Sequence, residues 1–385
     1  MAGRGRDPEL PAFDIDALVG DASIGIIVCC GAGGVGKTTT AAALGLRAAE
    51  AGRRVVVLTI DPARRLAQSL GLTELDNTPR PVVGVDESTG GSLDAMMLDM
   101  KRTFDDVVEA HAAPDKAAQI LANPFYQAVS SSFAGTQEYM AMEKLGQLKQ
   151  QSETGEHWDL IIVDTPPSRS ALDFLDAPKR LGSFLDGRLI RVLAAPARGA
   201  GRMSARVLNA SLGLFTSAMS RILGAQVLRD VQLFVTSFDA LFGGFRERAE
   251  QTYAQLQAPD TRFLVVAAPE PDALREASYF VQRLETERMP LAGLVLNRVQ
   301  EVRLPDLSAA TARAGAERLG DEHTLVAELL RLHADRMETA ARQENVARSF
   351  TGAHPRVPVA SVIALADDVH DLEGLQTVGD LLAKG

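Results

Sequence analysis

Unbroken apolar runs alternate with segments of helical period along this chain. Residues 25–30 (GIIVCC) carry no polar break, the pattern of a central parallel strand covered on both faces. A glycine-rich stretch follows at once; residues 38–51 are alanine-rich and predict a helix, and residues 54–60 (RVVVLTI) predict a second buried strand. Further short apolar runs lie at 160–163, 233–236, 263–267 and 293–297, with helical patterns between most of them. Alternation of this kind predicts an α/β fold with a parallel sheet and helices on both faces.

Two stretches, about 100–150 and 180–228, break the alternation; both are rich in helix formers and apolar residues and predict an inserted helical subdomain. Residues 303–350 are dense in Arg, Glu and Ala and predict solvated surface helices. Residues 1–20 mix Arg, Asp, Glu and Pro without an apolar centre, which predicts a flexible tail rather than a secretory leader. The rest, 21–385, is expected to be one α/β domain carrying the helical insertion, since no Pro/Ser-rich linker divides it.

Met203, Val207, Leu208, Leu212, Phe215, Met219, Ile222 and Leu223 share one helical face, which is either ordinary core or part of a groove for an apolar client segment. Just upstream, Lys179, Arg180, Arg188, Arg191, Arg198, Arg202 and Arg206 face only Asp186 as a local acid. That run is either a solvated lid or a peripheral contact for an anionic lipid or acidic partner.

Composition narrows the function. The 385 residues are 46% apolar and 23% charged, an ordinary globular content. A formal charge of −10 opposes general attraction to nucleic acid. The longest uncharged run, 117–137, holds Asn123, Pro124 and three serines, too polar to span a bilayer. The only cysteines, Cys29 and Cys30, are adjacent within an apolar strand and suit neither a disulfide framework nor a metal motif; a reducing cytoplasm is expected.

The chemistry is concentrated in Gly31-Ala-Gly-Gly-Val-Gly-Lys-Thr38, which fits the G-x-x-x-x-G-K-[ST] pattern between a buried strand and a helix. Glycines at 33, 34 and 36 let backbone N–H groups around Val35 turn inward on phosphates, a concavity that side chains would obstruct. Lys37 is expected to place its charge on the β/γ-phosphates, Thr38 to ligate Mg²⁺, and Thr39 to add to the helix N-terminus facing the nucleotide. Asp61, in DPARR after the second strand, is expected either to orient the attacking water or to join the metal shell. Asp164, in DTPPS after 160–163, has the form of a Walker B carboxylate that reaches Mg²⁺.

With the P-loop, the segments IDPARRLAQSLGL, DTPPSRSALDFLDAP, PEPDALREASYFVQRL, LVLNRV and RVPVASV occur in order across about residues 25–375. Together they resemble the arsenite-pump and tail-anchored-protein-targeting ATPases, P-loop enzymes of the deviant Walker A kind. The resemblance implies a dimer that closes on ATP, reopens on hydrolysis and moves a helical client-handling subdomain. It implies that Asp61 activates water, that Asp164 is the second-switch aspartate, that Asn297 recognises adenine and that Pro358 lies in the loop covering it.

Three departures matter. Where the family has a P-loop lysine that reaches the partner's phosphates, this chain has Ala32, which implies a heterodimer with a lysine-bearing paralogue. Arg64 and Arg169 stand at switch positions that are histidine and glycine in the family; either one supplies charge in cis, or both face solvent or pair with nearby acids. The paired cysteines that hold structural zinc in the targeting branch are missing between Asn297 and Pro358, so no zinc is expected. Two functional classes follow: an ATP-driven targeting or chaperone-like machine, and a nucleotide-switched regulatory or positioning ATPase. A soluble ATPase subunit of an anion transporter is a further variant.

Overall fold

The computed structural model describes residues 12–61, 65–124, 126–127, 130, 136–154, 157–166 and 247–384. The expectations for Arg64, Arg169, the strand at 233–236, and the stripe and basic run within 179–228 lie outside these residues.

Eight strands among the described residues form one sheet: β1 (Ile26–Gly31), β2 (Arg54–Thr59), β3 (Arg80–Pro81), β4 (Ser92–Met97), β5 (Leu160–Asp164), β6 (Thr261–Ala267), β7 (Leu291–Val299) and β8 (Val359–Ile363). Their order is β3-β4-β2-β5-β1-β6-β7-β8, parallel throughout except for the two-residue edge strand β3. Every residue of β1 and β5 is buried. Ile27, Cys29, Val57, Ile162 and Leu264 belong to one apolar layer with the alanine-rich helix α2 (Lys37–Glu50), while Ile26, Val28, Ile161, Val163 and Phe263, pointing to the other side, are buried as well. This two-sided burial is why the central strands read as continuous apolar runs.

Among the described residues the other α-helices are α1 (Ile15–Gly20), α3 (Arg65–Ser69), α4 (Met100–His111), α5 (Pro114–Leu121), α6 (Thr136–Glu153), α7 (Pro271–Thr286), α8 (Ala309–Leu319), α9 (Thr324–Ala353) and α10 (Leu372–Lys384). Helices α8 and α9 keep mostly exposed faces, as their polar composition requires. The expectation of a flexible tail over 1–20 is corrected from Ala12 onward. Asp14 caps α1 by accepting from the Ala17 N–H at 2.8 Å, Phe13, Ile15, Leu18 and Val19 are buried, and the Phe13 N–H donates to the Val359 carbonyl. Scattered charges hid four apolar residues too few to show a period.

Arg53 fastens this segment from beneath. Only 8% exposed, it donates to the carbonyls of Val19, Asp21, Ile24 and Asp159 and to the Asp159 carboxylate at 2.7 Å. A buried guanidinium is tolerable only when its N–H groups are engaged in this way.

The chain divides into two compact units, Met1–Met97 with Gln151–Ala171 and Leu256–Gly385, and Leu98–Gln150 with Leu172–Gln255. The described part of the second is helical. Inside it the Tyr126 hydroxyl donates to Asp105 at 2.6 Å, and Arg248 pairs with the buried Glu143 at 2.9 Å.

Candidate nucleotide site

Strands β1, β2 and β5 are adjacent and parallel, so their carboxyl ends open on one edge of the sheet, where α/β folds place ligands. Asp164, last in β5, is level with Cys29 of β1 and with Thr59 of β2. The chain leaves β1 through Gly31, where a Cβ would stand 2.0 Å from the Val266 carbonyl oxygen, and turns through the loop into α2. Gly36 is the N-cap of α2 in the left-handed region, with φ 97°, and no side chain caps the helix. Its first-turn N–H groups are thereby left to a ligand.

Lys37 is 7% exposed and donates from Nζ to the Ala32 carbonyl at 2.8 Å. Burial presses its ammonium below the ordinary lysine range, against the pull of Asp164 first and of Asp61 further down. The Ala32 methyl packs against the main apolar core. Asp164 is fully buried. Its Oδ2 accepts from the Thr38 hydroxyl at 2.7 Å and from the Thr59 hydroxyl at 2.9 Å, while its Oδ1 is buried without a hydrogen-bond partner. Burial pushes this carboxyl up to about 6, in spite of the Thr38 and Thr59 hydrogen bonds and the Lys37 charge, and Asp61 adds to the rise. Asp61 is half-buried, and its backbone N–H donates to the Thr59 hydroxyl at 3.3 Å.

Asn297, near the end of β7, reaches over the intervening β6 to the loop, its Nδ2 donating to the Val35 carbonyl at 2.8 Å. Lys37, Thr38, Asp61, Asp164 and Asn297 therefore converge on one sheet edge, with Gly33, Gly34, Val35, Gly36 and Thr39 on the loop and first turn between them.

Pro358 does not join them. It precedes β8, and its carbonyl accepts from the Leu294 N–H at 2.8 Å. The residue opposite Asn297 is Val362, four positions later, or about 13 Å along the strand. Pro358 thus stands at the amino edge of the sheet, and its expected place in an adenine-covering loop is corrected. The segment leaving β8 on the correct edge starts at Ala364, whose N–H donates to the Val299 carbonyl at 2.9 Å.

Sequence reasoning also missed Thr59. One hydroxyl at the end of the otherwise apolar RVVVLTI run was the available signal. Thr165, whose hydroxyl donates to the Cys29 carbonyl at 2.8 Å, ties β5 to β1 just beneath the site.

A divalent cation fits this donor set. The bare Asp164 Oδ1 is a buried hard oxygen lacking a partner, beside a threonine hydroxyl at the head of a phosphate-type loop, and hard cations take such ligands.

Strand, glycine loop, helix, an in-loop lysine and hydroxyl, and strand-end aspartates define a P-loop nucleoside triphosphatase. Residues 24–318 match the family described as anion-transporting ATPase. The chain belongs to that family and is an ATPase. It is similar to ATPase get3 of Aspergillus terreus, 26% identical over 298 residues that cover 76% of this chain and 78% of that protein. It is also similar to ATPase GET3 of Ajellomyces dermatitidis, 28% identical over 273 residues covering 70% and 71%. ATPase ARSA1 of Chlamydomonas reinhardtii is 25% identical over 296 residues, covering 71% of this chain and 35% of that protein.

Proposed function

We propose that the chain is a Mg²⁺-dependent ATPase that works as a dimer and whose nucleotide cycle drives its helical unit on a client or partner. The observation that carries the nucleotide part is the meeting of Lys37, Thr38 and the half-satisfied Asp164 carboxylate, 0% exposed, at one sheet edge. Bound phosphate oxygens take over the Lys37 ammonium from the Ala32 carbonyl, because an ionised oxygen is the stronger acceptor. Thr38 and Asp164 would hold Mg²⁺, which when bound supplies positive charge to the phosphate oxygens. Asp61 orients water for attack on the γ-phosphorus; the bond from phosphorus to the β,γ-bridging oxygen breaks, giving ADP and phosphate. Asn297 contacts the base, and the segment from Ala364 onward, rather than Pro358, covers it.

The dimer is proposed to be a heterodimer. With Ala32, partly buried against the core, at the loop position of that lysine, this chain offers a partner no loop cation, and a cation supplied in trans is worth roughly 10³ to 10⁵ in rate. A paralogue carrying lysine at that position completes the site on this chain. No structural zinc is proposed, since Cys29 and Cys30 are consecutive strand residues, both buried and facing opposite sides of the sheet. Two buried free thiols support a cytoplasmic setting, and no helix among the described residues is long and apolar enough to cross a membrane.

The test is single-turnover hydrolysis by the purified chain with and without equimolar lysine-bearing paralogue from the same cell. The proposal expects a rate gain of at least about 100-fold in the mixture. A mixture no faster than the chain alone removes the composite site.

A further inference from the structure

We propose that Asn297 is a positioning residue for the phosphate loop: its amide clamps Val35, so that contact with the base and the geometry of the phosphate cradle are set by one side chain. The inference rests on the nucleotide reading above and adds to it a link between two parts of the site.

The orientation of the amide follows from its neighbours. Nδ2 donates to the Val35 carbonyl at 2.8 Å, and Oδ1 accepts from the Arg298 backbone N–H at 3.0 Å. Reversing the amide would set its oxygen against a carbonyl and its NH₂ against an N–H, losing both bonds. The backbone delivers this orientation. Between Asn297 and Val299 the register of β7 against β8 shifts, and Arg298 adopts φ 63°, one of two non-glycine residues with positive φ among those described. Such irregularities re-aim side chains at the ends of strands, and here the amide is directed across β6 to the loop.

The loop is built to receive it. A Cβ on Gly36 would stand 2.2 Å from Asn297 Nδ2, so glycine at 36 serves the approach of Asn297 as well as its own φ of 97°. Val35 is itself buried at 3% exposed and packs within the main apolar core, which anchors the residue whose carbonyl Asn297 engages. The clamp therefore holds the residue just before the N-cap of α2, where the backbone must turn for the first-turn N–H groups to face phosphate. One Nδ2 hydrogen and the second lone pair of Oδ1 remain for a ligand, so the same amide has the capacity to hold the loop and contact the base together. Strand β7 thereby senses the base and braces the phosphates.

The prediction separates clamp from base reader by using a ligand without a base. Binding of Mg-tripolyphosphate and of Mg-ATP is measured by calorimetry on the full chain, for wild type, Asn297→Ala and Asn297→Leu. Asn297→Leu keeps the approximate size of the side chain, removes the donor and adds no charge beside the phosphates, which guards against a void at this position; melting temperatures are taken alongside. The clamp predicts that both variants weaken Mg-tripolyphosphate about fivefold or more, the loss of one ordinary hydrogen bond, and weaken Mg-ATP by a larger factor. Unchanged tripolyphosphate affinity with weakened ATP would mean that Asn297 acts on the base alone and overturns the clamp. If wild type binds neither ligand, the nucleotide reading fails, and the clamp with it.

Discussion

Thr38 and Asp164, 126 positions apart in the chain, meet at 2.7 Å between hydroxyl and carboxylate. The contact exists because β5 lies between β1 and β2 in the sheet, which sets the last residue of β5 level with the end of β2 and beside the loop that leaves β1. It leaves one buried carboxylate oxygen unused, and the consequences of that arrangement can be measured.

Asp164 costs the free protein stability. Burial raises its carboxyl from an ordinary 3.8 to about 6, so the favourable state is the protonated one: stability is fully present below about 3.8 and is lost as the pH rises through 6. The shift corresponds to at most about 3 kcal/mol at neutral pH. Asp164→Asn should therefore melt higher than wild type at pH 7.5 without nucleotide, with the gap narrowing toward pH 4, while hydrolysis is lost. A variant that melts lower at pH 7.5 contradicts the assignment.

Thr59 holds the same carboxylate oxygen as Thr38. Thr59→Val keeps the shape of a strand residue and removes the donor, leaving Asp164 one partner fewer. A hydrogen bond to a charged group is worth about 1.5–3 kcal/mol, so Mg-ATP affinity or turnover should fall about 10-fold or more. Calorimetry and a phosphate-release assay check this.

Arg53 is remote from the nucleotide edge, bonded to Val19, Asp21, Ile24 and Asp159. Arg53→Lys cannot satisfy these acceptors, because one ammonium lacks the planar fork. The expected result is a loss of about 2–4 kcal/mol in denaturant unfolding, with turnover below the melting range unchanged.

Ala32→Lys restores the loop cation. Its methyl is only partly buried against the core, and a lysine stem can lie along apolar surface while its head reaches solvent. The variant as a homodimer should hydrolyse ATP at least about 100-fold faster than wild type alone, and adding the lysine-bearing paralogue should then add little.

Much of this was legible in the sequence where both faces of an element are buried. Strands β1, β2 and β5 announce themselves as apolar runs because their central residues are buried on both sides of the sheet, the polar Thr59 and Asp164 standing only at the strand ends. Three strands escaped: β3 is two exposed residues, β4 (SLDAMM) carries Asp94, which accepts from the Trp158 indole at 2.6 Å, and β8 (VASVI) is short and half-exposed at Ser361 and Ile363. The loop lysine, hydroxyl and strand-end aspartates were readable because each follows a recognisable strand. Pro358 was misplaced because local motif order does not say which end of a strand a residue occupies once that strand has gone unseen. Thr59 and the Asn297 contact to Val35 depend on which strands are neighbours, and strand order is invisible to local pattern.

The most direct test of the site is single-turnover hydrolysis of γ-labelled Mg-ATP by wild type and Asp61→Asn, with Mg-ATP binding measured in parallel. Loss of phosphate release by about 100-fold or more with binding retained is the expected result, since Asp61 addresses the water rather than the nucleotide. Equal rates for the two proteins would contradict the account and place hydrolysis, or the attacking water, elsewhere.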